Sequence, residues 1–200
     1  MKALFLDRDG VVIDYIPYLS KPEQVKIPQD APIALKQWQD RGYRLVIVTN
    51  QSGISRGYFS FDDVMAIHRE LITQYAHFDV DFNDILICPH QPADNCLCRK
   101  PSPFLIQTYA QNHDIDLSQS FFIGDALSDI ECAINAQCQP VLLLTGRGKE
   151  TLDLLSEAIK DIDDSRQQLI SQKSSYTFLQ YKDSFSIPVF EYLKDTFILL

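Results

Sequence analysis

Five short apolar runs punctuate the chain: Lys2 to Leu6 (KALFL), Arg44 to Val48 (RLVIV), Ile85 to Cys88 (ILIC), Ser120 to Ile123 (SFFI) and Pro140 to Leu144 (PVLLL). Runs of this length, bounded by polar and turn-forming residues, predict buried strands. Between them, Ala31 to Arg41, Phe61 to Ala76, Pro103 to Asn112 and Asp129 to Ala136 carry helix-like patterns. Ser60, with Asp63 three residues on, predicts an N-cap with an acidic first turn. Strands that alternate with helices imply a parallel sheet with helices on both faces. Such sheets bind ligands at the carboxyl ends of their strands. The positions of interest are therefore Asp7, Thr49, Pro89 with His90, and Gly124 with Asp125. Residues 151–200 read differently. Glu150 to Ser171 predicts a long amphipathic helix, Tyr176 to Tyr181 a strand and Val189 to Phe197 a terminal helix. A segment this short hardly buries a core of its own. The expectation is one domain, with a core over 1–150 and an extension over 151–200 packed on its sheet.

Composition narrows the class. At 200 residues and 22.9 kDa the chain fits one domain with a modest addition. Hydrophobic residues at 46% and charged residues at 22% exclude a disordered, collagen-like or coiled-coil chain. No apolar run is long enough to span a membrane, and Met1 to Leu6 runs straight into Asp7 without a leader pattern. A cytoplasmic protein, monomeric and without membrane contact, is expected. The net charge of −9 disfavours nucleic acid as a partner. An anionic substrate remains open, provided cations and a metal converge locally.

Four clusters lie at the predicted strand ends. In Asp7-Arg8-Asp9-Gly10, residues i and i+2 of an extended chain share a face, so both carboxylates can address one reacting group while Gly10 turns the backbone away. That suits a nucleophile paired with an acid/base, although a solvated acidic turn accounts for the same residues. Thr49-Asn50-Gln51-Ser52-Gly53 offers a hydroxyl, amides and backbone N–H donors to phosphate oxygens. Arg99-Lys100-Pro101 supplies cations, and Gly124-Asp125 is followed by Asp129, which reads equally as a helix N-cap or a ligand. In this order the four resemble the motifs of the haloacid dehalogenase (HAD) superfamily phosphatases, over residues 4 to about 146. The resemblance implies a Rossmann-like α/β fold and phosphomonoester hydrolysis through an aspartyl-phosphate on Asp7. It makes Asp9 the general acid and then base, gives Thr49 and Lys100 the phosphoryl oxygens, and assigns Mg²⁺ to Asp7, Asp125 and the backbone carbonyl of Asp9. A carboxylate attacking a phosphate needs such cations, since each like-charge pair at about 4 Å costs about 4 kcal/mol at an effective dielectric near 20.

Five cysteines in a chain expected in the cytoplasm point to metal binding or simple burial. Cys88, His90, Cys96 and Cys98 fall within eleven residues and suit a closed, structural zinc site. Two unrelated small hydrophobes beside a surface histidine form the alternative. A Zn²⁺ loop just before the motif lysine is similar to the HAD subgroup that includes heptose bisphosphate and histidinol phosphate phosphatases, and would pin the loop that delivers Arg99 and Lys100. Cys132 and Cys138 read as buried packing, Trp38 as core, and His68, His77 and His113 as surface or satisfied histidines.

Only about twenty residues separate Gly10 from the first predicted helix, too few for the cap domain of many HAD members. A capless site must be screened by Tyr15 to Lys21, Ser52 to Tyr58 and the zinc loop. Gln51 to Gly57 matches the heptose phosphatase stretch, and Tyr18 falls near a substrate-contacting position. Tyr18, Asn50, Gln51, Ser52, Arg56 and Arg99 are thus candidate contacts, the two arginines as forks for a second phosphate or as solvated surface groups. Ala126 stands where the subgroup usually carries a basic residue. The expected substrate is a small phosphorylated metabolite, first the 7-phosphate of a heptose 1,7-bisphosphate, with histidinol phosphate or a broad range of sugar phosphates as alternatives. A catalytically silent phosphometabolite-binding protein is the reading from another class.

Overall fold

The structure, a computed structural model, describes residues 1–160, 172–173, 176–181 and 185–200. The predicted strands form as β1 (Lys2–Leu6), β2 (Tyr43–Asn50), β3 (Asp84–Cys88), β4 (Phe121–Gly124) and β5 (Gln139–Leu143). The helices between them are α1 (Ala31–Asp40), α2 (Phe61–Ala76), α3 (Phe104–Asn112) and α4 (Leu127–Ala136), followed by α5 (Gly148–Lys160). Ser60 caps α2 as predicted: its Oγ accepts the Asp63 N–H at 3.1 Å while the Asp63 carboxylate accepts the Ser60 N–H at 2.8 Å. Beyond α5 come β6 (Gln172–Lys173), β7 (Tyr176–Tyr181) and β8 (Phe185–Phe190).

Among the described residues the strands make one sheet in the order β3-β2-β1-β4-β5-β8-β7-β6. The first six run parallel, and β7 and β6 close the far edge antiparallel. The two-residue period of β1 sorts its side chains. Leu4 and Leu6 join Leu35, Trp38, Ile67 and Leu71 of α1 and α2 on one face, while Ala3 and Phe5 join Ile106 of α3 and Ala133 of α4 on the other. Both faces being covered explains why the strands read as unbroken apolar runs.

The end of the chain departs from the sequence expectation. Val189 to Phe197, predicted as a helix, is instead the end of β8 and a 3₁₀ helix over Leu193–Leu199. The open edge of β5 captures the segment's first residues, where Leu142 pairs with Val189 and Leu143 with Phe190. The 3₁₀ helix returns to α1, where Thr196 Oγ1 accepts the buried Trp38 Nε1–H at 3.1 Å. Of the long helix predicted from Glu150, the portion to Lys160 forms as α5; residues 161–171 lie outside the described residues.

Candidate active site

The carboxyl ends of β1, β2 and β4 gather the predicted site. Asp7 leaves β1 with its N–H on the Ile123 carbonyl at 3.0 Å, which fixes it beside the end of β4. Its Oδ1 lies 2.7 Å from Lys100 Nζ, and the same ammonium is 2.8 Å from Asp129 Oδ1 and donates to the Val48 carbonyl at 2.8 Å. Lys100 has three N–H donors: two are spent as hydrogen bonds on Asp7 and Val48, and Asp129 is met as an ion pair, which the third donor can leave for an incoming phosphoryl oxygen. Its backbone is held as well: the Asn50 side chain donates to the Lys100 carbonyl at 3.2 Å and accepts the Lys100 N–H at 3.1 Å. Asn50, a candidate substrate contact in the sequence, lines the cleft and spends its amide on the lysine. Across from Asp7, Asp125 Oδ2 accepts the Arg147 N–H at 2.7 Å, and the Asp125 carbonyl accepts from Thr151 Oγ1 at 2.8 Å.

The electrostatics call for a cation. Carboxylate oxygens of Asp7, Asp125 and Asp129 all lie within 4.8 Å of one another, and the three residues are buried. Burial pushes the Asp7 carboxyl up to about 8 against the pull of Lys100, with repulsion from Asp129 and Asp125 adding to it. Burial and Asp129 push Asp125 up to about 7. Burial also works against the Lys100 charge, but Asp129 and Asp7 outweigh it and hold the lysine above its ordinary range. One ammonium does not neutralise three converging carboxylates, and an all-oxygen donor set fits a hard divalent ion such as Mg²⁺. The backbone is shaped around this cluster. Gly10 and Gly146 have φ of +86° and +50°, and a Cβ on either would come within 2.3 and 2.0 Å of Asp125 Oδ2.

Asp9 stands apart from the metal cluster. Arg8 forks onto it, Nε to Oδ2 at 3.1 Å and one terminal nitrogen to Oδ1 at 3.0 Å, and Gln51 Nε2 donates to Oδ2 at 3.0 Å. Gln51 also reaches Thr49 Oγ1 at 2.7 Å, which links the hydroxyl at the end of β2 to the Asp9 carboxylate.

A cavity of about 290 Å³ opens over these groups. Asp7, Asp9, Thr49, Lys100, Asp125 and Asp129 line its floor, and Tyr18, Asn50, Gln51, Ser52 and Arg99 complete the predicted set. Arg99 is turned partly inward to the loop, donating to the His90 carbonyl at 3.0 Å. Arg56 is exposed and is not among the lining residues. Asp129 is not the N-cap of α4, a place Ala126 takes; it lies in the first turn, where Oδ2 accepts the Ala126 N–H at 3.0 Å while Oδ1 faces Lys100. Arg147 was missed. It follows β5, and the same strand-end rule that flags Asp125 points to it.

The cysteine loop closes next to Lys100. Cys88 Sγ lies 3.3 Å from Cys98 Sγ and 3.6 Å from Cys96 Sγ, Cys96 and Cys98 are 3.6 Å apart, and His90 Nδ1 is 3.3 Å from Cys98 Sγ. None of the three forms a disulfide. A tetrahedron of thiolates about 2.3 Å from a central metal has edges of about 3.8 Å, so the four ligand atoms are spaced for one ion. Burial pushes the Cys88 thiol up to about 12. Cys132 and Cys138 are buried as predicted, and burial raises both thiols above their ordinary range.

Comparison with known proteins places this geometry. The HAD-hydrolase-like family model matches residues 97–165, the stretch carrying Lys100, Asp125 and Asp129. The D-glycero-beta-D-manno-heptose-1,7-bisphosphate 7-phosphatase of Pseudomonas putida is 39% identical over 155 residues, covering 76% of this chain and 88% of that protein. The protein of the same name from Helicobacter pylori is 42% identical over 149 residues, covering 72% and 83%. Among solved structures, the D,D-heptose 1,7-bisphosphate phosphatase of B. bronchiseptica complexed with magnesium and phosphate superposes with a TM-score of 0.73 at 35% identity, over 77% of this chain and 87% of that one.

Proposed function

Because the chain belongs to the HAD phosphatases of the heptose bisphosphate branch, and is thereby a phosphoric monoester hydrolase, we propose that it removes the 7-phosphate of a D-glycero-D-manno-heptose 1,7-bisphosphate. The observation that carries the chemistry is Asp7 Oδ1 held 2.7 Å from Lys100, with Asp125 and Asp129 converging on the same point.

Asp7 is the nucleophile. Its position at the end of β1 is fixed by the backbone bond to β4, and Lys100 favours its ionised form against the effect of burial. The P–O bond to the sugar breaks as the Asp7–P bond forms, and Asp9 gives its proton to the departing alkoxide. Asp9, now a carboxylate, takes a proton from water, which attacks the aspartyl-phosphate and frees inorganic phosphate and Asp7. Thr49 Oγ1 and Lys100 Nζ donate to the equatorial oxygens through both steps. Asp7, Asp125 and the Asp9 carbonyl would hold Mg²⁺, which supplies charge neutralisation at the phosphoryl oxygens when bound. Zn²⁺ at Cys88, His90, Cys96 and Cys98 would fix the loop from which Arg99 and Lys100 extend. Tyr18, Gln51, Ser52 and Arg99 line the cavity where the rest of the substrate sits. Arg56 would reach it only through movement of the loop it occupies.

No described helix is long and apolar enough to cross a membrane, and the net charge of −9 disfavours nucleic acid as a partner. Phosphate release from both anomers of the heptose bisphosphate, histidinol phosphate, fructose 1,6-bisphosphate and sugar monophosphates tests the substrate. The proposal predicts the highest kcat/KM for a heptose bisphosphate. A higher value for histidinol phosphate, or no release from any, contradicts it.

A further inference from the structure

Arg8 and His68 are each only 1% exposed. A buried guanidinium must place its N–H donors, and Arg8 does so in two directions: its fork takes both oxygens of Asp9, and its remaining terminal nitrogen meets His68 Nε2 at 3.2 Å. Arginine is a donor only, so Nε2 must accept and the imidazole proton sits on Nδ1. Burial, with the Arg8 charge beside it, pushes the His68 imidazole down to about 3, consistent with a neutral ring. Nδ1 is buried and has no hydrogen-bond partner among the described residues.

That arrangement costs the fold something. His68 lies on the buried stripe of α2 with Val64, Ile67, Leu71 and Tyr75, where an aliphatic side chain would fill the space and leave no N–H unpaired. What only a polar side chain supplies there is an acceptor for Arg8. Without it one guanidinium nitrogen is orphaned in the core, and the fork is free to rotate off Asp9 towards other acceptors. We propose that His68 is a positioning residue for the reaction: by accepting from Arg8 it fixes the guanidinium fork, which in turn sets the aim of the Asp9 carboxylate. Oδ2 already accepts from both Arg8 and Gln51, whereas Oδ1 accepts from Arg8 and keeps a lone pair, and Asp9 lines the cavity, so the fork can orient the carboxylate without blocking Oδ1. This rests on Asp9 being the general acid and base.

The test compares His68→Met, His68→Gln and Asp9→Asn in the Mg²⁺-loaded protein, on an alkyl phosphate (the preferred sugar phosphate) and an aryl phosphate (p-nitrophenyl phosphate). An alkoxide leaves only with a proton, whereas nitrophenolate leaves unaided. General acid catalysis is worth about 10²- to 10⁴-fold. His68→Met is therefore expected to lower kcat on the sugar phosphate by about 10- to 100-fold with KM within about twofold, while the first-turnover burst of nitrophenol persists and counts the folded sites. His68→Gln, whose amide oxygen can accept from Arg8, restores the sugar phosphate rate to within about threefold of the parent. Arg8→Lys, which keeps the charge but not the fork, gives the same split if the Met variant does not fold. The inference is overturned if the first-turnover nitrophenol burst slows along with the sugar phosphate rate, if the sugar phosphate rate does not change, or if Gln fails to restore it. Undiminished sugar phosphate turnover by Asp9→Asn would instead overturn the assignment of Asp9 itself.

Discussion

Replacing Lys100 with methionine removes one charge from a side chain only 3% exposed while keeping much of its volume. The ammonium sits 2.7 Å from Asp7 and 2.8 Å from Asp129, so it serves both to favour the ionised nucleophile and to offset the incoming phosphate. One lost attraction at about 4 Å from the phosphoryl group, at an effective dielectric near 20, is worth about 4 kcal/mol. That corresponds to about a 10³-fold loss in kcat. Stability should fall less than for an ordinary broken buried pair, which costs about 3–5 kcal/mol. The reason is that Asp7 and Asp125 already sit at about 8 and about 7 and can take up protons once the ammonium is gone. The assay is phosphate release at saturating substrate and Mg²⁺, with circular dichroism to establish that the variant is folded. A folded Lys100→Met protein that loses less than about tenfold would refute the electrostatic reasoning.

Three further outcomes are expected. Gly146→Ala places a methyl 2.0 Å from Asp125 Oδ2 and 2.9 Å from the Gly10 Cα, so isothermal titration should show at least tenfold weaker Mg²⁺ binding; parent-like affinity would mean the cradle is not needed. Cys98→Ser should abolish bound zinc, measured by atomic emission, and lower both melting temperature and kcat, because Arg99 and Lys100 follow directly in the chain. Unchanged kcat in zinc-free protein would separate the loop from the site. His68 has a folded-state pKa of about 3 against an ordinary 6.5, so the unfolded chain binds the extra proton between those values. Stability from this group is complete above about pH 6.5 and is lost as pH falls towards 3, by up to about 5 kcal/mol; urea unfolding of His68→Gln should show a flatter pH dependence over that window.

The strand ends carried most of the legible chemistry, because a parallel sheet buried on both faces writes its strands as short apolar runs and puts the reactive residue at the first polar position after each. Asp7, Thr49 and Asp125 were found that way. Lys100 was found by its order among the motifs. What the sequence left open depends on contacts made at long range. Asp129 could be read as a cap or a ligand until Lys100, 29 residues away in sequence, was seen to meet it. Arg8 carries no role of its own in the sequence pattern, and His68 reads as a surface or satisfied histidine, because their partnership spans sixty residues. The terminal helix failed because an apolar stretch is neutral between helix and strand until an open edge such as that of β5 decides. Arg56 was placed by local similarity to a stretch whose loop here turns its side chain outward, and Arg147 was overlooked although it follows a predicted strand.

The central claim is that turnover passes through a phosphate ester of Asp7. Acid quenching during steady-state turnover with Mg²⁺, followed by borohydride reduction and peptide mass spectrometry, tests it directly, because reduction converts an aspartyl-phosphate to homoserine. The account predicts homoserine at position 7, dependent on substrate, and absent in Asp7→Asn. Continued turnover with residue 7 unmodified, even when hydrolysis is slowed by Asp9→Asn, would contradict it.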